Sequence, residues 1–244
     1  NRFDHRSEID LPPSAVLCCL EQASRRDGCG ERHAVRLSFG DGADLRCQVR
    51  GEQVKIVYRH LPTLLVVNTV VAGAMVFALW DGVAKTGLMV WGGAMVLVLA
   101  ARAALGWGYH RTSSHSPHHH WAIGFTVGAG ATGALWGAVG VFMFPADSLA
   151  HQMFILLILM GMGARAITSL TAYMPAFHAF LPVSLLPISV VLVRAGDPIH
   201  IALGIMTFAY VAGLTFFART INRAFIDSLS LRFENIDLVQ ALSE

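Results

Sequence analysis

From residue 61 to residue 217 the chain is almost continuously apolar, and its few polar breaks divide that stretch into pieces close to one bilayer thickness. A helix needs about 20 apolar residues to cross hydrocarbon. Six segments meet or nearly meet that length, near 61–80, 86–107, 121–144, 151–173, 178–195 and 198–218. They are uniformly apolar, whereas barrel strands alternate and are about half as long. The expected fold is an all-α integral membrane protein, a bundle of about six transmembrane helices. Charge supports this: 14% of residues are charged, against roughly a quarter in soluble domains. The domains predicted are a soluble N-terminal flank over 1–56, a membrane domain over 57–218 and a cytoplasmic helix over 219–244.

Boundary residues fit these spans. Trp80, Trp107, Tyr109, Trp121, Tyr173 and Tyr210 mostly fall near proposed ends, where amphipathic rings favour the interface. Pro145, Pro175 and Pro198 fall at or near turns, and Ala195-Gly196-Asp197-Pro198 predicts a tight hairpin between the last two spans. Pro182 and Pro187 predict a bend in span five, because each removes a backbone donor. Lys55 and Arg59 precede span one, Arg102 and Arg111 flank the second connection, and Arg219, Arg223 and Arg232 follow span six. The other connections carry Asp81, Lys85, Asp147 and Asp197, with Arg194 out of pattern. The positive-inside rule then places both termini in the cytoplasm, as an even number of spans requires.

In the first flank, Val35, Leu37 and Phe39 alternate with polar residues, Gly40-Asp41-Gly42 offers a turn, and Leu45, Cys47 and Val49 alternate again. That predicts a β-hairpin over 35–49. Cys18, Cys19, Cys29 and Cys47 all lie in this flank without CxxC spacing, so a structural zinc site is not expected. A net charge of +2 with no basic run among aromatics gives no reason to expect a nucleic-acid partner. In the last flank, residues 219–244 contain neither Gly nor Pro. Leu231, Asn235, Leu238 and Leu242 follow the 4-3-4 spacing of a coiled-coil seam, which an ordinary amphipathic helix shares. These four are candidate signal-transmission residues.

Gly124, Gly128, Gly133 and Gly137 in span three are spaced for close helix packing, within one bundle or across a dimer. Arg165 lies inside span four, and an intramembrane charge is a functional hypothesis by default. It is about two turns from the predicted cytoplasmic end, so snorkelling is the competing reading. Asn68, Thr168, Ser169 and Thr171 are its candidate polar partners. His115, His118, His119 and His120 form the densest histidine cluster, and His151 and His200 a sparser group on the other side. Imidazole suits zinc, copper, nickel or haem iron. Adventitious binding and polar helix ends are the bland alternatives, and no cofactor is required. Phosphate-binding loops, nucleophile elbows and carboxylate pairs within the spans are all missing from the sequence, so no catalytic residue is assigned.

Certain stretches carry a resemblance: Val57-Tyr58-Arg59-His60-Leu61-Pro62, Leu135-Trp136-Gly137, Phe144-Pro145-Ala146-Asp147-Ser148-Leu149-Ala150-His151-Gln152, Gly161-Met162-Gly163, Met174-Pro175-Ala176-Phe177 and Leu231-Arg232-Phe233-Glu234-Asn235. From about Glu52 to Glu244 the chain resembles the membrane-embedded sensor region of bacterial hybrid histidine kinases, with diguanylate cyclase relatives as second choice. The resemblance implies a sensor input module in the bacterial inner membrane. It implies a homodimer and an output kinase or cyclase domain in the same chain, beyond Glu244. No ligand follows from it. A small transporter and a membrane assembly subunit are the competing expectations.

Overall fold

The computed structural model describes residues 41–112, 118–145 and 148–243. Six helices follow one another: α1 (Asp41–Leu79), α2 (Lys85–Thr112), α3 (His118–Phe142), α4 (Leu149–Leu170), α5 (Met174–Ala195) and α6 (Pro198–Ser243). Among the described residues there is no strand. The chain divides into two compact units, Asn1–Gly51 and Glu52–Glu244, and the helix bundle is the second.

Each helix contains a segment long and apolar enough to cross a membrane: Gly51–Leu79, Lys85–Arg111, His120–Phe142, Leu149–Leu170, Met174–Ala195 and Pro198–Leu229. The outward faces have matching chemistry. Phe77 is 86% exposed, Phe142 82% and Phe216 76%. Large aromatic side chains presented so fully are at odds with an aqueous surface and suit lipid. Inside lie Tyr58, Met75, Trp136, Ile155, Phe177 and Leu185, all fully buried.

Two expectations are corrected. Residues 41–49, the greater part of the second half of the predicted hairpin, are helical and run into α1; residues 35–40 lie outside the described residues. Three alternating apolar residues are a weak strand signal. Helix α5 also starts earlier than position 178, at Met174, with Pro175 in its first turn. The missing N–H of a proline is harmless there, because the first helical donors have no intrahelical partner anyway.

The turn between α5 and α6 is as short as its sequence predicts. Gly196 closes α5 in the left-handed region, φ 83°, a conformation that L side chains resist. Asp197 then caps α6: its Oδ1 accepts from the backbone N–H groups of Ile199 at 2.8 Å and His200 at 3.2 Å. Pro198 occupies the first helical position, its favoured place.

Among the described residues, α3 and α5 share an extensive interface. A Cβ on Gly133 would lie 2.7 Å from the Phe180 carbonyl oxygen, and one on Gly137 would collide with that of Val183. The second contact has a cause in sequence. Pro187 has no N–H to offer the carbonyl four residues earlier, so Val183 O is released from the ladder. Its neighbour is the backbone of Gly137. Both prolines lie inside an α5 that stays helical across them. The two glycines therefore pack helices within one chain.

A Gly137→Ala substitution is expected to lower the thermal midpoint in detergent through a loss of about 1–3 kcal/mol, the usual range for overpacking. Gly161→Ala in α4 is the control, because nothing lies within 4 Å of its added Cβ. It should be neutral or stabilising, since Gly inside a helix is less stable than Ala by roughly 0.5–1 kcal/mol.

Candidate functional site

Several polar contacts between helices gather around α3. Trp91 Nε1 of α2 donates to the Leu135 carbonyl at 2.7 Å. Trp136 Nε1 donates to Asn68 Oδ1 of α1 at 3.0 Å. Gly137 faces α5. The three consecutive residues Leu135-Trp136-Gly137 thus tie α3 to α2, α1 and α5 in turn. Asn68 is 2% exposed, and its Nδ2 donates to the Leu64 carbonyl at 2.8 Å. Its amide orientation is therefore set by two partners of opposite polarity.

Two arginines lie beside these contacts. Arg165 Nη2 of α4 donates to the Leu64 carbonyl of α1 at 3.3 Å, the same oxygen that Asn68 uses. Arg102 of α2 is 5% exposed. Its Nη1 donates to Thr132 Oγ1 of α3 at 3.0 Å, and that hydroxyl donates onward to the Gly128 carbonyl at 2.8 Å. Its guanidinium carbon stands 5.4 Å from the centroid of the Phe125 ring, within cation–π range. Its stem runs over Gly128, whose added Cβ would lie 2.9 Å from Arg102 Cγ. Arg102 and Arg165 line one small, partly open pocket with a volume of about 10 Å³, room for roughly one water-sized group, together with Leu64, Asn68, Ser169 and Phe180.

Sequence reasoning singled out Arg165 and missed Arg102, which it assigned to the flank of the second connection. Arg102 lies ten residues before the end of α2 at Thr112, about 15 Å along the helix. Its burial in the bundle, not the interface, is the correction. The signal was legible: an arginine inside a predicted span, with a glycine-rich span following. The partners foreseen for Arg165 also differ. Asn68 shares its pocket and its acceptor, whereas Thr168 Oγ1 and Ser169 Oγ bond the Arg165 backbone carbonyl at 2.9 and 3.0 Å. Thr171 Oγ1 bonds the Ile167 carbonyl at 2.6 Å. Among the four glycines, Gly133 and Gly137 receive α5, Gly128 receives Arg102, and Gly124 makes an ordinary contact with Leu105 at 3.8 Å from an added Cβ.

At the other end of the bundle, Gln152 of α4 is 4% exposed. Its Nε2 donates to the Pro145 carbonyl at 2.8 Å, and its Oε1 accepts from His200 Nε2 at 2.8 Å. The other His200 nitrogen, Nδ1, bonds Asp197 Oδ2. His151 Nδ1 pairs with Ser148 Oγ at 2.6 Å, and its ring packs 3.3 Å from an added Cβ on Gly82. His151 and His200 thus make separate polar contacts. Among the described residues, no group of three or more His, Cys, Asp or Glu is arranged to hold a metal ion. Residue 115 lies outside the described residues, as do the side chains of His118 and His119, while His120 is exposed.

Aromatic residues expected at the interface partly turn inward. Tyr58 stacks on Tyr109 with centroids 4.1 Å apart, and its hydroxyl donates to the Trp121 carbonyl at 2.9 Å. Tyr210 donates to the Met160 carbonyl at 2.8 Å. Trp107 and Trp80 keep a boundary role, beneath Arg111 at 3.8 Å and Lys85 at 5.5 Å.

No protein-family model matches the chain, and neither curated proteins nor solved structures contain a match to it.

Two outcomes follow from this geometry. A double-mutant cycle of Trp136→Phe and Asn68→Leu should show a coupling of about 0.6–1.7 kcal/mol, the range for interhelical hydrogen bonds in membranes; additive losses in a thermal or steric-trapping assay would deny the bond. At Asp197, the His200 ring, then the backbone N–H groups of His200 and Ile199, hold the carboxyl below the usual carboxylate range. A depressed carboxyl stabilises the fold above its ordinary value of about 4 and loses that effect as pH falls through the lower folded value. The stability advantage of wild type over Asp197→Asn should therefore be lost as the pH falls into the acid range, as read from thermal midpoints across a pH series.

Proposed function

We propose that this chain is the membrane input module of a bacterial signal-transduction protein, which passes its conformational state through α6 to a histidine kinase output. The observation that carries the reading is the length of α6. It runs unbroken over 46 residues from Pro198 to Ser243, about 69 Å at 1.5 Å per residue. Hydrocarbon is about 30 Å thick, so more than half of this helix projects beyond it. Its root is held by the bundle: Asn222 Nδ2 donates to the Thr171 carbonyl at 2.6 Å, and Ser189 Oγ of α5 donates to the Gly204 carbonyl at 2.9 Å. A rod anchored in this way transmits rotation or displacement if the bundle has two packed arrangements of similar energy.

The seam residues support pairing with a second copy. Leu231 is exposed, and Asn235, Leu238 and Leu242 continue the 4-3-4 spacing, although their side chains lie outside the described residues. Asn235 at a seam position would favour one register at some cost in stability. The orientation proposed has both termini in the cytoplasm of the bacterial inner membrane. Removing Arg102 from the tally still leaves Lys55, Arg59, Arg111, Arg219 and Arg223 on that side. The second reading is the input region of a diguanylate cyclase, since the same stretches and the same exit helix serve either output.

Phase is the discriminating property of a rotary or register-dependent helix. One residue inserted near Ser230 turns everything beyond it by about 100°, and seven nearly restore the phase. In the full-length protein, the one-residue insertion should abolish stimulus-dependent autophosphorylation or cyclase activity, and the seven-residue insertion should largely preserve it. Equal tolerance of both insertions would remove the case for a signalling helix.

A further inference from the structure

The pocket between Arg102 and Arg165 has a composition that the signalling reading does not use. Two guanidiniums line it, and both remain charged, because arginine does not deprotonate in proteins. No carboxylate balances them within the spans. From Glu52 onward, the acidic residues are Glu52, Asp81, Asp147, Asp197, Asp227, Glu234, Asp237 and Glu244. None is in the interior of α2, α3, α4 or α5, and the two in the α1 and α6 spans lie near their ends. Two like charges in a low-dielectric interior repel each other strongly and are expensive without a counterion.

The hydrogen-bond balance also has a sign. Arg102 Nη2 is fully buried and has no partner among the described residues. Arg165 makes one long bond, at 3.3 Å, to a carbonyl that Asn68 already occupies. Ser169 spends its hydroxyl on the Arg165 carbonyl, and Thr132 spends its own on Gly128. The pocket therefore holds more N–H donors than side-chain acceptors, although the hydroxyl oxygens can still accept. A water could satisfy Nη2 but would leave both positive charges unbalanced. An anion only accepts, and planar guanidiniums are well suited to it. The stem of Arg102 is seated over Gly128 and its Nη1 is fixed on Thr132, so the group is held in place and not left to snorkel.

We propose that Arg102 and Arg165 form an intramembrane binding site for a small anion, a halide or a single oxygen of an oxyanion, supplied from solution or by the charged head of a lipid. The inference is independent of the signalling reading, since it follows from charge and donor balance in the bundle alone.

The test uses the purified full-length chain in a neutral maltoside detergent, in gluconate buffer at constant ionic strength. Chloride, nitrate and formate are titrated in separately, and the thermal midpoint is read. A saturable rise is expected, roughly 5 °C or more at a concentration about a hundredfold above the dissociation constant. Arg165→Gln should weaken the apparent affinity by about tenfold or more, as loss of one charge-assisted partner does. Arg102→Gln, which can still donate to Thr132, should abolish the saturable rise; where that variant does not fold, Arg165→Gln decides. Arg194→Gln, at the exposed end of α5, should bind like wild type. A parallel arm compares nanodiscs of pure phosphatidylcholine with nanodiscs containing phosphatidylglycerol. Stabilisation by phosphatidylglycerol but by none of the free anions, lost in Arg165→Gln, would assign the lipid head as the source. The absence of any saturable response in both arms, or a response that Arg165→Gln leaves unchanged, would overturn the site. Signalling assays do not enter either arm, so failure here and failure of the proposed function are separable.

Discussion

α3 approaches the backbone of α5 so closely that side chains are excluded at Gly133 and Gly137, and the other helices are arranged about that contact. In lipid the hydrophobic effect does not drive helices together, so association depends on close packing and on hydrogen bonds. The α3–α5 contact supplies the packing, with the carbonyl released by Pro187 against the bare backbone of Gly137. On the opposite side of the same turn, Trp136 reaches α1 and the Leu135 carbonyl receives Trp91 of α2. One short sequence element thus fixes the positions of three neighbours. A shift of α3 along its axis would break all three contacts together.

Most polar contacts between helices follow one rule. Side chains donate to backbone carbonyls, because those are the acceptors a helical bundle has in surplus: Tyr58 to Trp121, Trp91 to Leu135, Ser189 to Gly204, Tyr210 to Met160 and Asn222 to Thr171. Carbonyls can accept a second bond without leaving the ladder, so these links do not break the helices they join. The arginines exceed what this rule can supply. A guanidinium has five N–H donors, and Arg102 finds one hydroxyl and a ring face. Among the described residues, Arg102 Nη2 is the one buried side-chain donor without a partner, and it is what separates that pocket from the ordinary packing around it.

The exit helix and the arginine pocket lie on different parts of the chain but meet in α4. Arg165 and Met162 of α4 line the pocket, while the Met160 carbonyl of the same helix accepts from Tyr210 of α6. Any change in how the pocket is occupied would therefore act first on a helix that touches the root of α6. Coupling of that kind requires two arrangements whose balance both regions bias.

The number of spans, the all-helical bundle and the tight α5–α6 turn were legible in the sequence because they depend on local quantities. A run of about 20 apolar residues has one solution in hydrocarbon, and Gly196-Asp197-Pro198 spells a helix stop, a cap and a first turn in order. The stretch at 35–49 was misread over residues 41–49 because alternation across three residues is too short a signal to choose between strand and helix. The glycines of span three were legible as packing residues, but not their division of labour, with Gly133 and Gly137 admitting α5 and Gly128 admitting Arg102. That division depends on which helices are neighbours, and helix neighbours are set by contacts between residues far apart in sequence. For the same reason, the sequence determined that Arg165 lay within the membrane, and only the tertiary structure placed Arg102 beside it: two residues 63 positions apart share a pocket because α1, α3 and α4 leave one space for both guanidiniums.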